Sequence, residues 1–202
     1  ECPACYASAL PPGKGSSLEE HPTVEELLHT VDVMIEREGG RLGVVMVSGG
    51  EPTVRKDIET ILQELISRNV TRVLLNTNGR RIAKDDKFLA FLGRNRNRIE
   101  IYLQFDGFRA ETYMKLRGED VSNEKCRALE RLSEAKVFTT LVATVAKGVN
   151  DGELGEIVQY GLSNPRIAGI AFQPIFGSGR TPSYDPLDRI TPTGVIRRLE
   201  VQ

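Results

Sequence analysis

Short apolar runs alternate with longer amphipathic segments along most of the chain, and this alternation is its strongest constraint on the fold. The pattern predicts strands over residues 42–47, 72–75, 99–105, 137–145 and 167–172, and helices over 23–38, 57–68, 84–92, 123–135 and 154–162. Strands that are separated by helices imply right-handed βαβ units. We therefore expect an α/β protein built on a parallel sheet.

The two ends of the chain differ from this regular pattern. A further strand before Glu1 would complete the repeat, and the missing initial Met suggests that residues upstream have been lost. Between Gly177 and Pro192, Gly, Pro, Ser and Asp become frequent, which indicates a loop that leaves the domain. We expect an N-terminally truncated domain over residues 1–176, then a loop and the start of a C-terminal extension over residues 177–202, with a last helix opening near Thr191.

The overall charge and the cysteine content exclude several classes of protein. A formal charge of −1 over 202 residues gives no electrostatic reason to expect a nucleic-acid partner. No apolar run approaches the roughly 18 residues that would indicate a membrane span. Three cysteines are too few for a disulfide scaffold, and closely spaced cysteines are typical of reducing compartments. We therefore expect a cytoplasmic protein with no membrane span.

The first chemical signal is the segment CPACY at residues 2–6. Thiolates of Cys2 and Cys5 lie close enough in sequence to bind one metal ion or one corner of an iron–sulfur cluster. The same spacing also occurs in half of a zinc site or in a redox pair. Few other side chains could complete a zinc site: Cys126, His21 and His29, and Cys126 falls inside a predicted helix.

The second signal is the segment SGGEPT, which follows the predicted strand 42–47. It stands at the carboxyl end of a strand, where parallel α/β folds bind ligands. Gly49 and Gly50 allow the backbone to approach a ligand closely, and Glu51 offers an acceptor to a cationic group such as an ammonium. An ordinary glycine-rich turn between strand and helix would have the same sequence pattern.

Together, these two segments resemble the radical S-adenosylmethionine (SAM) superfamily. The cluster motif of that family is CxxxCxxC, and Cys2 and Cys5 match its second and third cysteines, so the first would stand four residues before Cys2. The resemblance implies a partial (β/α)6 TIM-like barrel of parallel strands with outer helices, whose first strand is missing here. It also implies a [4Fe-4S] cluster and SAM as cofactors, and catalytic as well as metal-ligating roles for both cysteines.

The resemblance implies specific SAM contacts near the cysteine loop and the glycine motif. The motif that meets the methionyl amino group is matched by Gly49, Gly50, Glu51 and Pro52. The family often places an aromatic residue just before its last cysteine, beside the adenine. Ala4 fills that position here, and Tyr6 is the substitute that we expect.

Further strand ends match other segments of the family. LNTNG contributes Asn76 and Asn78, and QFDG contributes Gln104 and Asp106, as candidates for ribose, methionyl or substrate contacts. Asn-Gly and Asp-Gly are also strong turn formers, so the alternative for Asn78 and Asp106 is that each is only a turn residue.

Three more candidates come from later in the chain. The segment YMKLRG resembles a family segment in which Arg117 would bind the SAM carboxylate bidentately. A surface arginine at a helix end is the alternative. Thr144 and Gln173 end later predicted strands and would contact SAM or substrate from the far side of the barrel.

Within the superfamily, the strand ends are most similar to two groups. One comprises the pterin-methylating and tetraether-lipid-synthase enzymes, and the other is the molybdenum-cofactor-biosynthesis protein A class. The resemblance implies cleavage of SAM to a 5′-deoxyadenosyl radical, hydrogen abstraction from a small-molecule or lipid substrate, methylation or carbon–carbon bond formation, and an electron donor such as flavodoxin or ferredoxin. A non-catalytic barrel that binds a small molecule or partner, and a zinc or dithiol oxidoreductase, are the alternatives.

Overall fold

The computed structural model describes residues 22–177 and 185–202. Within them, five parallel strands form one sheet in the order β1-β2-β3-β4-β5. Their bounds are β1 Leu42–Val47, β2 Val70–Thr77, β3 Ile99–Gln104, β4 Thr139–Val145 and β5 Ile167–Pro174. The sheet curls into a half-barrel with helices around it, which confirms the predicted α/β partial barrel.

Eight α-helices connect or flank these strands in the described residues. They are α1 Val24–Arg37, α2 Ile58–Ser67, α3 Arg80–Lys84, α4 Asp86–Arg94, α5 Ala110–Arg117, α6 Ser122–Glu134, α7 Leu154–Ser163 and α8 Pro192–Leu199, and a 3-10 turn spans Pro52–Val54. The five helices predicted by periodicity are present, within a few residues of their expected bounds. The short helices α3 and α5 were not predicted.

The outer face of the sheet packs against the helices and forms the core. On β3, Ile99, Ile101 and Leu103 are fully buried, and they alternate with side chains on the opposite, concave face. Helix α2 buries one apolar stripe against the sheet, including Ile58 and Leu62. Each such side chain contributes about 1.5–3 kcal/mol of hydrophobic stabilisation. The core therefore lies between sheet and helices, and the concave face stays open to a ligand.

The C-terminal helix α8 packs beside α7 and β5. Val195 and Ile190 bury themselves against Val145 and Leu154, and the Oγ1 of Thr191 caps the helix by accepting a 3.1 Å hydrogen bond from the Gly194 amide. The predicted last helix is thus present, while the proposed division at residue 176 stays a prediction. None of the helices in the described residues is long and apolar enough to cross a membrane.

Candidate functional site

Most of the predicted site residues lie along one edge of the sheet, where the carboxyl ends of the parallel strands meet. Residues 49–52 follow β1, Asn76 and Asn78 lie at the end of β2, and Gln104 and Asp106 at the end of β3. Thr144 and Gln173 face each other across β4 and β5. Arg117 reaches this edge from the end of α5. The parallel topology thus gathers the candidates around the mouth of the half-barrel.

The predicted cluster ligands and their aromatic neighbour belong to the N-terminal segment of the chain. Cys2, Cys5 and Tyr6 lie outside the described residues. Within residues 22–177 and 185–202, no group of three His, Cys, Asp or Glu side chains could hold a metal ion.

The carboxylate of Glu51 joins the ends of β1 and β2. Its Oε1 accepts hydrogen bonds from the Thr77 hydroxyl at 2.7 Å and from the amide and hydroxyl of Thr53 at 3.1 and 2.6 Å. Its Oε2 accepts one from the Asn78 amide at 2.7 Å. A carboxylate has about four acceptor positions. Oε1 is therefore committed to the fold, while Oε2 retains capacity for a cationic ligand group.

Gly49, the first glycine of the motif, leaves an open surface beside Glu51. Gly49 has a φ of +144°, and an added Cβ would meet nothing within 4 Å. Next to it, the Nδ2 of Asn76 donates a 3.1 Å hydrogen bond to the Ser48 hydroxyl. The Oδ1 of Asn76 is buried and has no partner among the described residues. Since an unsatisfied buried acceptor is costly, this arrangement suits a ligand that supplies a donor.

Asn78 adopts the turn role that its sequence context also allowed. Its Oδ1 accepts a 2.9 Å hydrogen bond from the Arg80 amide, and its carbonyl accepts one from the Lys125 ammonium at 2.6 Å. Gly79 follows with a φ of +79°, where an added Cβ would lie 2.6 Å from a methyl carbon of Leu103. The side chain of Asn78 therefore forms a turn that leads into helix α3.

Asp106 and Arg117 form a buried ion pair. The Nε and Nη2 of Arg117 donate to the two oxygens of Asp106 at 2.7 and 2.8 Å, and Nη2 also donates to the Thr144 hydroxyl at 3.0 Å. The Thr144 amide donates to Asp106 at 3.0 Å. The side chain of Asp106 is 0% exposed and that of Arg117 is 11% exposed. The bidentate partner of Arg117 here is thus a carboxylate of the chain itself, and the group ties α5 to β3 and β4.

Asn150 reinforces the same junction and was missed by the sequence analysis. Its Nδ2 donates to the carbonyls of Asp106 and Thr144, both at 2.8 Å, and its Oδ1 accepts from the Ala146 amide at 2.9 Å. Asn150 is fully buried. The segment VNDG predicts only a turn. Nothing local to it indicates a contact with residues more than 40 positions away.

Glu153 was also missed, although it holds the loop after β3. Its Oε2 accepts from the amides of Phe108 and Arg109 at 2.9 and 3.2 Å, and its Oε1 accepts from the Thr112 hydroxyl. The side chain caps the start of α5 from the start of α7 and is fully buried. An added Cβ on Gly107 would lie 2.4 Å from Oε2 of Glu153, so this close approach requires glycine.

The phenol of Tyr113 lies beneath the loop that Glu153 holds. It donates a 2.8 Å hydrogen bond to the Gly107 carbonyl. Burial, helped by the nearby charge of Asp106, raises the pKa of this phenol well above its ordinary value. Tyr113 therefore stays neutral and serves as a structural donor.

The chain is similar in sequence to proteins of known family. A family model described as the Radical SAM superfamily matches residues 1–161. The chain is 31% identical over 204 residues to the 7,8-dihydro-6-hydroxymethylpterin dimethyltransferase of Methanocaldococcus jannaschii, an alignment that covers 100% of this chain and 39% of that protein. It is 32% identical over 126 residues to the probable GTP 3′,8-cyclase of Thermococcus kodakarensis, covering 61% of this chain and 39% of that protein. The chain thus spans less than half the length of either relative.

Solved structures show the same fold. SuiB of Streptococcus suis bound to S-adenosylmethionine matches with a TM-score of 0.64 at 16% sequence identity, over 90% of this chain and 38% of that chain. This likeness concerns the half-barrel and its surrounding helices.

Proposed function

Because the chain belongs to the radical SAM superfamily, a family of enzymes, we propose that the full protein uses SAM and a [4Fe-4S] cluster to act on an organic substrate. When bound, these cofactors would supply the radical chemistry for abstraction of hydrogen from the substrate. The open backbone at Gly49, beside the orphaned acceptor of Asn76, is the observation that supports a ligand site here.

The described residues fit SAM as a ligand of this mouth. The Oε2 of Glu51 and the Oδ1 of Asn76 are both acceptors with remaining capacity, which suits the amino group and the ribose hydroxyls. Gln104 and Gln173 offer amide groups from the ends of β3 and β5. Asp106 and Arg117 fix the shape of this site through their own ion pair.

The remaining parts of the machinery are proposals from the family. Cys2 and Cys5 would ligate the cluster together with a cysteine four residues upstream, and flavodoxin or ferredoxin would supply electrons in the cytoplasm. The match of the whole chain to 39% of a dimethyltransferase supports methyl transfer as the kind of reaction.

Anaerobic reconstitution of the full-length protein tests this proposal. We expect a four-iron EPR signal that changes shape on addition of SAM, followed by 5′-deoxyadenosine detected by mass spectrometry. Cys5→Ala should abolish both, whereas Cys126→Ala should retain them, because Cys126 lies half-buried on α6. A protein that binds zinc in place of iron would support the dithiol alternative, and equal 5′-deoxyadenosine from Cys5→Ala would overturn the assignment of the ligand.

A further inference from the structure

Helix α6 carries a lysine on its buried face. Its buried side chains recur at helical spacing, and Lys125 stands in that stripe between Val121, just before the helix, and Leu129. Lys125 is only 3% exposed. Because removing an ammonium from water is unfavourable, an unbranched apolar side chain such as methionine would fill this position at a lower cost to folding. A specific contact therefore has to account for the charge at this position.

The ammonium of Lys125 contacts the turn that follows β2. It donates a 2.6 Å hydrogen bond to the carbonyl of Asn78. The turn packs closely on its surroundings, since a Cβ added to Gly79 would lie 3.3 Å from the Cβ of Ala128 on α6 and 2.6 Å from Cδ1 of Leu103. The hydrogen bond therefore fixes this turn to the helical layer.

Both backbone groups of Asn78 are held, one from each side. Its carbonyl accepts from Lys125, and its amide donates to Oε2 of Glu51 at 2.7 Å. Oε2 is the oxygen that the proposed function assigns to the amino group of SAM. Hydrogen bonds in which one group is charged are about twice as strong as neutral ones, and both of these are of that kind. One residue thus links the buried lysine to the carboxylate of the ligand site.

A second cation stands in a similar but weaker relation to Glu51. The amide of Thr53 donates to Oε1 of Glu51 at 3.1 Å, and the carbonyl of Thr53 accepts from Nη1 of Arg81 at 3.4 Å. The same guanidinium also pairs with two partly exposed carboxylates. Since hydrogen bonds weaken with distance, Lys125 is the stronger of the two supports.

We propose that Lys125 is a positioning residue for SAM, which acts through Asn78 on the carboxylate of Glu51. This inference rests on the proposed function and deepens it, because it identifies what orients the acceptor of the amino group. Without the ammonium, the Asn78 carbonyl loses a charged donor and the turn gains alternative conformations. The carboxylate is then less well preorganised for its ligand, which weakens binding.

Anaerobic calorimetry of SAM binding to the reconstituted, unreduced full-length protein tests the proposal without turnover. We expect Lys125→Met to raise the Kd for SAM about tenfold. The matched control is Lys84→Met, which removes a lysine that is 64% exposed and pairs with Glu124 of the same helix, and it should bind SAM like the wild type. Lys125→Gln, which keeps a neutral donor, takes the place of Lys125→Met if circular dichroism shows that the latter is unfolded.

Two further measurements separate positioning of the carboxylate from a general loosening of the site. In a Glu51→Gln background, Lys125→Met should weaken SAM binding by less than about twofold, because the carboxylate on which the lysine acts is already gone. The second probe is 5′-methylthioadenosine, which lacks the methionyl amino group. It should bind Lys125→Met and the wild type equally, and it decides the question if Glu51→Gln binds no SAM.

The outcomes distinguish this inference from the proposed function. If the wild type binds no SAM, the proposed function fails and the inference fails with it. If the wild type binds SAM and Lys125→Met binds it equally well, the proposed function stands and the inference is overturned. It is also overturned if Lys125→Met weakens SAM and 5′-methylthioadenosine to the same extent, since Lys125 would then only stabilise the fold.

Discussion

Removing the cation of the buried ion pair tests how the mouth is held together. In Arg117→Leu, the carboxylate of Asp106 loses both guanidinium contacts, at 2.7 and 2.8 Å, and keeps the Thr144 amide at 3.0 Å. Because the side chain of Asp106 is 0% exposed, water cannot replace the lost donors without opening the structure. Breaking a buried pair in this way costs about 3–5 kcal/mol. We expect Arg117→Leu to lower the free energy of unfolding by that amount.

Urea unfolding followed by circular dichroism measures the effect. The matched control is Arg80→Leu, which breaks surface pairs with Glu119 and Glu124; the Arg80 side chain is 43% exposed and those of the two glutamates are 52% and 25% exposed. That change should lower the free energy of unfolding by less than about 1 kcal/mol. The double change Asp106→Asn with Arg117→Leu should recover part of the loss, since no buried charge remains. An Arg117→Leu protein no less stable than Arg80→Leu would refute this reasoning.

Three other perturbations test the neighbouring contacts. Gly107→Ala forces a Cβ to within 2.4 Å of Glu153 Oε2 and should cost at least about 2 kcal/mol of unfolding free energy in urea titration. Glu51→Gln replaces one carboxylate oxygen by an NH2 group, a donor that would face the amide and hydroxyl donors. We therefore expect the free energy of unfolding to fall by about 1–3 kcal/mol in the same assay. Burial raises the pKa of Tyr113 in the folded state, whereas an unfolded tyrosine ionises near about pH 10. Stability should therefore be retained below about pH 10 and fall as the pH rises above it, with a smaller fall in Tyr113→Phe.

Each of these has a control or a contradicting result. Gly148 also has a positive φ, of +69°, but an added Cβ there would meet nothing within 4 Å. Gly148→Ala should therefore lower the free energy of unfolding by only about 1 kcal/mol. Equal losses at Gly107 and Gly148 would contradict the close approach to Glu153. A Glu51→Gln protein as stable as the wild type would show that this carboxylate does not join β1 to β2. If the wild type and Tyr113→Phe lost the same stability at alkaline pH, the loss would come from other titrating groups.

Periodicity located the strands well because their outer faces are continuously apolar. Strand β3 was expected over residues 99–105 and spans Ile99–Gln104. Strand β2 is longer than expected and reaches Thr77, a polar residue buried by its hydrogen bond to Glu51. Helix α5 escaped prediction since only Thr112, Tyr113 and Leu116 are buried in it. Its cap also comes from a distant part of the chain.

The site could be predicted as a set of positions but not as a set of contacts. Motifs and strand ends placed Asp106, Arg117 and Thr144 near one another, and the structure brings them together. Which groups pair depends on how β4 and α5 pack, and a sequence pattern does not contain the distance between these two elements. For the same reason, the long-range roles of Asn150 and Glu153 had no local signal.

The cap of α5 has a consequence for the order in which the chain becomes structured. A helix of 8 residues is shorter than the roughly 12 needed for marginal stability in water, so α5 depends on tertiary contacts. Its capping carboxylate, Glu153, lies 45 positions after Phe108 and is made later during synthesis. Until that residue emerges from the ribosome, α5 and the Arg117 that it carries lack their anchor. The first four strands, β1 to β4, are therefore synthesised before α5 and Arg117 gain their anchor at the mouth, and β5 follows it.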